Sequence, residues 1–296
     1  RCAGFLFSIS SWKILAICVI LVYTQIYPMK KSSKILYNNP IKSIPRSKLH
    51  RITEINPDAK VEFKTIQGLK LIKIYNFLKR PLELREFCLE FLSKDSHETL
   101  MDDIIEGRRS FSPGIQQIIN PLFFNESISK YLHDKLEEYN LYKGITKSEY
   151  YTNMFYPGMG STEASKIPHL DSFLFAGNIY LSEIDDSISG TNFYKCIFKD
   201  PFGEEEVFYD AYDLMASEYC DNYEAILRKN NENIEKADDF VFLDNDIYHK
   251  YHFEPAEFNS VSLYSGRYWH SVVYDAKLSK QYRYSLVASF LSGDML

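Results

Sequence analysis

Residues 166–172, KIPHLDS, set His169 and Asp171 two positions apart. In extended chain, side chains at that spacing turn to one face. An imidazole and a carboxylate on one face supply two of the three donors of a facial metal site, which leaves the far side of the ion open. The third donor must come from elsewhere, and His270, inside the β-branched and aromatic run YWHSVV, is the candidate. Further on, QYRYSLVASF carries Arg283 and Ser285 at the same two-residue spacing. A guanidinium in a strand that lacks an acidic residue calls for an anion. It matches a carboxylate in two parallel hydrogen bonds, and a hydroxyl two residues on can bond the same group. The polar stretch DAKLSKQ between His270 and Arg283 reads as a turn, so the two strands are expected to pair as a hairpin around one cavity.

Each feature also has a plainer reading. In a chain with seven histidines an H-x-[D/E] pair arises readily by chance, and His252–Glu254 is a second example. Pro255 directly after that pair argues against a central strand, so it is set aside. Taken singly, His169 reads as a loop histidine, His270 as a hydrogen-bonded core histidine and Arg283 as surface decoration. In DNDIYHKYH, Asp246, His249 and His252 follow a helical i, i+3 spacing that a second metal could use, although a solvated acidic turn is the simpler account.

The framework that must position these residues follows from composition. The chain has 296 residues, 45% of them hydrophobic, enough for one sizeable core. Its 23 tyrosines and 21 phenylalanines favour strands, which points to an α+β, mainly β protein. A net charge of -6 offers no basic field for a phosphate backbone, so no nucleic-acid partner is expected. Five scattered cysteines without a CxxC pair suit a reducing compartment better than a disulfide framework. Residues 1–28 contain an apolar run from Ile14 to Pro28, short of the roughly 20 residues a membrane span needs. MKKSSK from Met29 reads as an ordinary cytoplasmic N-terminus. The expectation is therefore a cytoplasmic protein, membrane-anchored only if residues 1–28 are genuine coding sequence.

Residues 29–60, polar and carrying Pro40, Pro45 and Pro57, read as a linker or arm, with order beginning near Val61. LKLIKIYNF (69–77) alternates like a strand, and Pro81 then opens a helix whose Leu84, Phe87, Cys88 and Phe91 share a face. Residues 126–140 form a second predicted helix. Short strands follow at 150–156, 172–181, 191–198, 205–210, 258–266, 268–275 and 282–291, the texture of a sandwich or jelly roll. An acidic insertion, about 211–239, interrupts them. It and the loop 107–114 are the expected walls of the mouth.

In order and arrangement, HLD at 169–171, His270 and RYS at 283–285 resemble the 2-oxoglutarate- and Fe(II)-dependent oxygenases, and in particular the branch around the prolyl 4-hydroxylases. GTNFY (190–194) is similar to the turn and strand after the first ligand pair, with Ser189 where a second glycine is common. FNSVSLYSGRYWHSV (258–272) is similar to the segment presenting the second histidine, and IYNFLKRPLELREF (74–87) to the strand and helix before the core. Over roughly residues 69–291, the resemblance implies a double-stranded β-helix (jelly roll) with flanking N-terminal helices, placed in a domain of residues 61–296. It implies Fe(II) on His169, Asp171 and His270, the distal carboxylate of 2-oxoglutarate on Arg283 and Ser285, and a further contact from Tyr156 of YPGMG. The implied reaction takes O2, with ascorbate as an optional reductant, and hydroxylates a small molecule or a protein side chain while 2-oxoglutarate is decarboxylated to succinate. Two other classes compete. One is a non-catalytic jelly-roll or cupin-like module that binds a small molecule, and the other is a cupin metalloenzyme that ignores 2-oxoglutarate. Arg283 separates them from the main reading, because a cupin needs no arginine inside its barrel.

Overall fold

In a computed structural model of the protein, the described residues are 44–90, 114–119, 121–141, 145–155, 168–171, 173–184, 188–199, 202–223, 248–274 and 281–292. Helix α1 (Arg46–Ile52) precedes strands β1 (Lys60–Ile66) and β2 (Leu69–Tyr75). These two join through Gln67 (φ 47°) and Gly68 (φ 90°), a tight turn whose positive φ values match the twist of a hairpin. Helix α2 (Pro81–Leu89) starts on a proline, where the missing N–H costs nothing, and buries Leu84, Phe87 and Cys88 on one face. After β3 (Gly114–Ile119), a 3₁₀ turn and a wide π turn lead into α3 (Lys130–Glu138), which buries Leu132 and Leu136. The remaining elements are β4 (Ile145–Phe155), β5 (Phe175–Tyr180), β6 (Ser189–Lys199), β7 (Glu205–Phe208), α4 (Ala211–Met215), β8 (Tyr248–Pro255), β9 (Ser260–Ser265), β10 (His270–Tyr274) and β11 (Arg283–Ser292).

The strands form two sheets. Seven run in the order β1-β2-β9-β5-β11-β4-β3, and four form a smaller sheet in which β6 pairs with β10, β7 and β8. Each pairing between named strands is antiparallel. Side-chain contacts from Arg283 to Ser189, Tyr180 to Thr191 and Lys73 to Glu254 set the two sheets face to face.

Alternation along the strands separates an oily side from a polar one. On the large sheet's outer face, Ile72, Ile74, Ile179, Val261, Leu263, Leu286, Ala288 and Phe290 pack with Leu84, Phe87, Leu132 and Leu136 of the helices. At about 1.5–3 kcal/mol for each fully buried side chain of this kind, that layer is the main source of stability. The facing interior instead carries Lys73, Asn178, Tyr180, Tyr264, Arg283 and Ser285, so it is shaped to hold polar groups. On the back of the small sheet, Trp269, Tyr194 and Cys196 are covered by Ala211, Leu214, Tyr219 and Tyr223.

Several expectations change. The stretch read as a linker contains α1, whose Ile52 is buried in the main core, and Ile55 bridges to Leu78. β10 and β11 do not form a hairpin, because β10 pairs with β6 and β11 with β4 and β5, in opposite sheets. The described start of the insertion covers the back of the small sheet and not the mouth, since its apolar residues pack on Trp269. Its continuation, the loop 107–113 and residues 1–28 lie outside the described residues. The helical reading of His249 and His252 fails, since both lie on β8, and Asp246 is outside the described residues. Pro255 does argue against a central position, but among the described residues β8 pairs only with β6, and an edge strand tolerates a terminal proline. No helix among the described residues is long and apolar enough to cross a membrane.

Candidate metal centre

His169 and His270 face each other as a bridging pair across two short antiparallel segments. His169 N–H donates to the His270 carbonyl at 2.9 Å, and His270 N–H to the His169 carbonyl at 3.0 Å. Such a pairing turns both side chains to one face, and the ring centroids lie 4.5 Å apart. Two residues on, the Asp171 N–H donates to the Gly266 carbonyl at 3.1 Å, which ties the ligand segment to the β9–β10 turn. A Cβ at Gly266 would lie 2.2 Å from the Phe173 carbonyl oxygen and 2.9 Å from Asp171 Cβ, so only glycine permits this approach.

The donor atoms of His169, Asp171 and His270 lie within 4.8 Å of one another. His169 is exposed, Asp171 half-buried and His270 buried. His270 Nδ1 sits 2.9 Å from the Tyr268 carbonyl, which can only accept. In the neutral ring the proton is therefore on Nδ1, and Nε2 keeps its lone pair toward Asp171 Oδ2, 3.3 Å away. Burial opposes charge on both groups. Even so, the Asp171 carboxylate holds the His270 pKa above its ordinary value, and the two imidazoles hold Asp171 below its own. Two imidazoles and one carboxylate on one face suit Fe(II) or a similar divalent ion.

Arg283 and Ser285 sit on β11, 4% and 1% exposed, on the face turned toward the small sheet. Arg283 Nε donates to Ser189 Oγ at 2.9 Å, so the serine that departs from the common glycine helps orient the guanidinium. Burial draws the Arg283 pKa below its ordinary range. Ser285 Oγ is buried and has no hydrogen-bond partner among the described residues. A buried hydroxyl left without a partner costs about 1–3 kcal/mol, which an anion shared with Arg283 would recover. The residues present thus fit both a metal and a carboxylate. Tyr156 lies outside the described residues.

Sequence reasoning overlooked three kinds of interior residue. Tyr180 stacks beside Arg283, its ring centroid 5.5 Å from Cζ, and its hydroxyl is 3.2 Å from Thr191 Oγ1. Tyr264, bonded by Asn178, lies edge-on to His270. The rejected dyad proves to be a structural ion cluster: Glu254 pairs with Lys73 at 3.1 Å, Lys64 at 3.4 Å and His252 at 3.1 Å. Period-2 bookkeeping from Arg283 across the neighbouring strands would have found Tyr180 and Asn178. Nothing local in the sequence pairs Lys73 with Glu254.

No family model matches the chain, and no curated protein matches it. Among solved structures it is similar to a Pseudomonas putida prolyl-4-hydroxylase, at 13% identity over 76% of this chain and 90% of that one, with a TM-score of 0.37. It is also similar to HygX from Streptomyces hygroscopicus, solved with nickel and 2-oxoglutarate bound, at 10% identity over 77% and 84%, TM-score 0.38. A Trichoplax adhaerens prolyl hydroxylase, in complex with a hypoxia inducible factor oxygen degradation domain peptide fragment, is similar at 10% identity over 76% and 84%, TM-score 0.32. Two of these three neighbours are named as prolyl hydroxylases, and the third holds nickel and 2-oxoglutarate.

Proposed function

We propose that this chain is a double-stranded β-helix (jelly-roll) dioxygenase that uses Fe(II) and 2-oxoglutarate to hydroxylate a small molecule or a protein side chain. What carries the reading is one interior that holds both a His-His-Asp donor set and, on the facing sheet, a buried arginine beside a serine hydroxyl that has no hydrogen-bond partner among the described residues. His169, Asp171 and His270 would hold the metal. Arg283 and Ser285 would bind the distal carboxylate of 2-oxoglutarate, and Tyr156 is proposed as a further contact. Bound there with O2, the iron and 2-oxoglutarate supply the oxidising chemistry, with 2-oxoglutarate decarboxylated to succinate.

The protein's own part is orientation. His270 Nδ1, fixed on the Tyr268 carbonyl, keeps Nε2 aimed at the donor cluster. Asp171, half-buried and kept ionised by the two imidazoles, presents a carboxylate that would meet a cation. Arg283, oriented through its Nε by Ser189 Oγ, would present its guanidinium to a carboxylate.

The test is succinate and CO2 release from 2-oxoglutarate by the protein with Fe(II), O2 and ascorbate, alongside the His270→Ala protein. Turnover that the variant loses would support the dioxygenase. Arg283→Ala should raise the 2-oxoglutarate requirement, since truncating one partner of a buried charge pair costs on the order of 2–5 kcal/mol. Absence of binding of both iron and 2-oxoglutarate would instead favour a non-catalytic jelly-roll or cupin-like binding module.

A further inference from the structure

The interior holds a polar pair that the metal and carboxylate residues do not account for. Tyr264 on β9 is 2% exposed, with its ring edge-on to His270 at 5.0 Å and to Phe193 at 4.9 Å between centroids. Asn178 on β5 donates from Nδ2 to the Tyr264 hydroxyl oxygen at 2.9 Å. By register, Tyr264 lies opposite Ala176, Asn178 opposite Ser262, and Tyr180 opposite both Ser260 and Ser285, which puts Tyr264, Asn178, Tyr180 and Ser285 on one face of the large sheet. A phenol oxygen that accepts from an amide still has its own proton to give. Among the described residues nothing accepts that proton.

We propose that Tyr264 donates its phenolic hydrogen bond to the metal-proximal 2-oxo acid group of the co-substrate, and that Asn178 is a positioning residue that acts through Tyr264. This rests on the function proposed above. A donor at that point has no use in an empty apolar barrel. Leucine or phenylalanine would pack against His270 and Phe193 without an amide to hold them. The Asn178 amide occupies one side of the phenol oxygen and leaves its proton for another acceptor. The pair therefore favours 2-oxo acids over dicarboxylates that lack the oxo acid group.

The test reads anaerobic 2-oxoglutarate binding to the Fe(II)-loaded full chain, by the charge-transfer absorption of the complex, for wild type, Tyr264→Phe, Asn178→Val and the double variant. Tyr264→Phe keeps the ring, so melting without ligand should stay near wild type. Its 2-oxoglutarate Kd should rise about 10- to 100-fold, as expected for a hydrogen bond to a charged acceptor, while Fe(II) affinity stays unchanged. Asn178→Val should raise the Kd less, and the double variant should bind no more weakly than Tyr264→Phe alone, because both act through one hydroxyl. Wild-type 2-oxoglutarate affinity in Tyr264→Phe, or additive losses in the double variant, would overturn the inference. A wild-type protein that binds iron but no 2-oxoglutarate would instead remove the functional reading on which it stands.

Discussion

Replacing Glu254 by glutamine should destabilise the protein far more than its distance from the metal residues implies. Lys73 and Glu254 are both 0% exposed and 3.1 Å apart, so each charge depends on the other for compensation. The amide keeps the shape and removes the countercharge. Breaking a buried pair from one side costs about 3–5 kcal/mol. Lys73 keeps its bonds to the Pro255 carbonyl at 2.7 Å and Ser262 Oγ at 3.2 Å, which places the loss near the lower end, about 3 kcal/mol. Lys64 and His252, 22% and 19% exposed, also lose a countercharge, but each can turn to water. For a domain of this size, about 2–4 °C per kcal/mol gives a fall in Tm of about 6–12 °C. Urea unfolding at neutral pH, followed by tryptophan fluorescence without metal, measures it. The Lys73→Met, Glu254→Leu double variant should regain most of the loss, because it leaves no buried charge. The pH dependence has a definite sign. Burial pushes the Glu254 pKa up, but His252, Lys73 and Lys64 more than offset it, so it lies below its ordinary value of 4.5. The contribution is therefore complete above that value and disappears as pH falls through the lowered one, where wild type and variant should converge. A loss under about 1 kcal/mol, or a double variant weaker than the single one, would refute the account.

Three further outcomes follow from the site. His169→Ala should abolish Fe(II) or Co(II) binding by calorimetry and leave the metal-free melting curve near wild type, since His169 is exposed; retained binding would remove it from the donor set. Gly266→Ala should cost about 1–3 kcal/mol and lower metal affinity, because its Cβ would displace the segment that carries Asp171; urea melts and metal titration on one sample check both effects. Ser285→Ala should leave metal-free stability unchanged or slightly higher, because it deletes a partnerless buried hydroxyl, yet weaken 2-oxoglutarate binding about three- to thirtyfold; a clear loss of stability would mean the hydroxyl already has a partner.

Placement that follows from local spacing was readable from the chain. The two-residue interval of His169 and Asp171, and that of Arg283 and Ser285, foretold which side chains would share a face, and the β-branched run around His270 placed it on a strand. Roles set by long-range pairing were not readable. The hairpin expected between His270 and Arg283 rested on the polar residues between them, but a chain can cross from one sheet to the other through such a stretch as readily as it can turn within one. Lys73 and Glu254 meet 181 residues apart in sequence, and each in isolation reads as a surface charge on an alternating strand. α1 escaped notice because its apolar residues are few, and only packing on α2 gives Ile52 a reason to be buried.

The mutual backbone bonds between His169 and His270 have a consequence for how a metal would be acquired and lost. Two of the three donors are neighbours in a β pairing, so their spacing is a property of the main chain and exists before any ion arrives. Ordering entropy that a ligand loop would spend at the moment of binding has already been spent in folding. Such a centre should load quickly, release without unravelling, and keep its vacant form available for reloading. This is unlike a zinc-finger domain, where loss of the ion is loss of the fold.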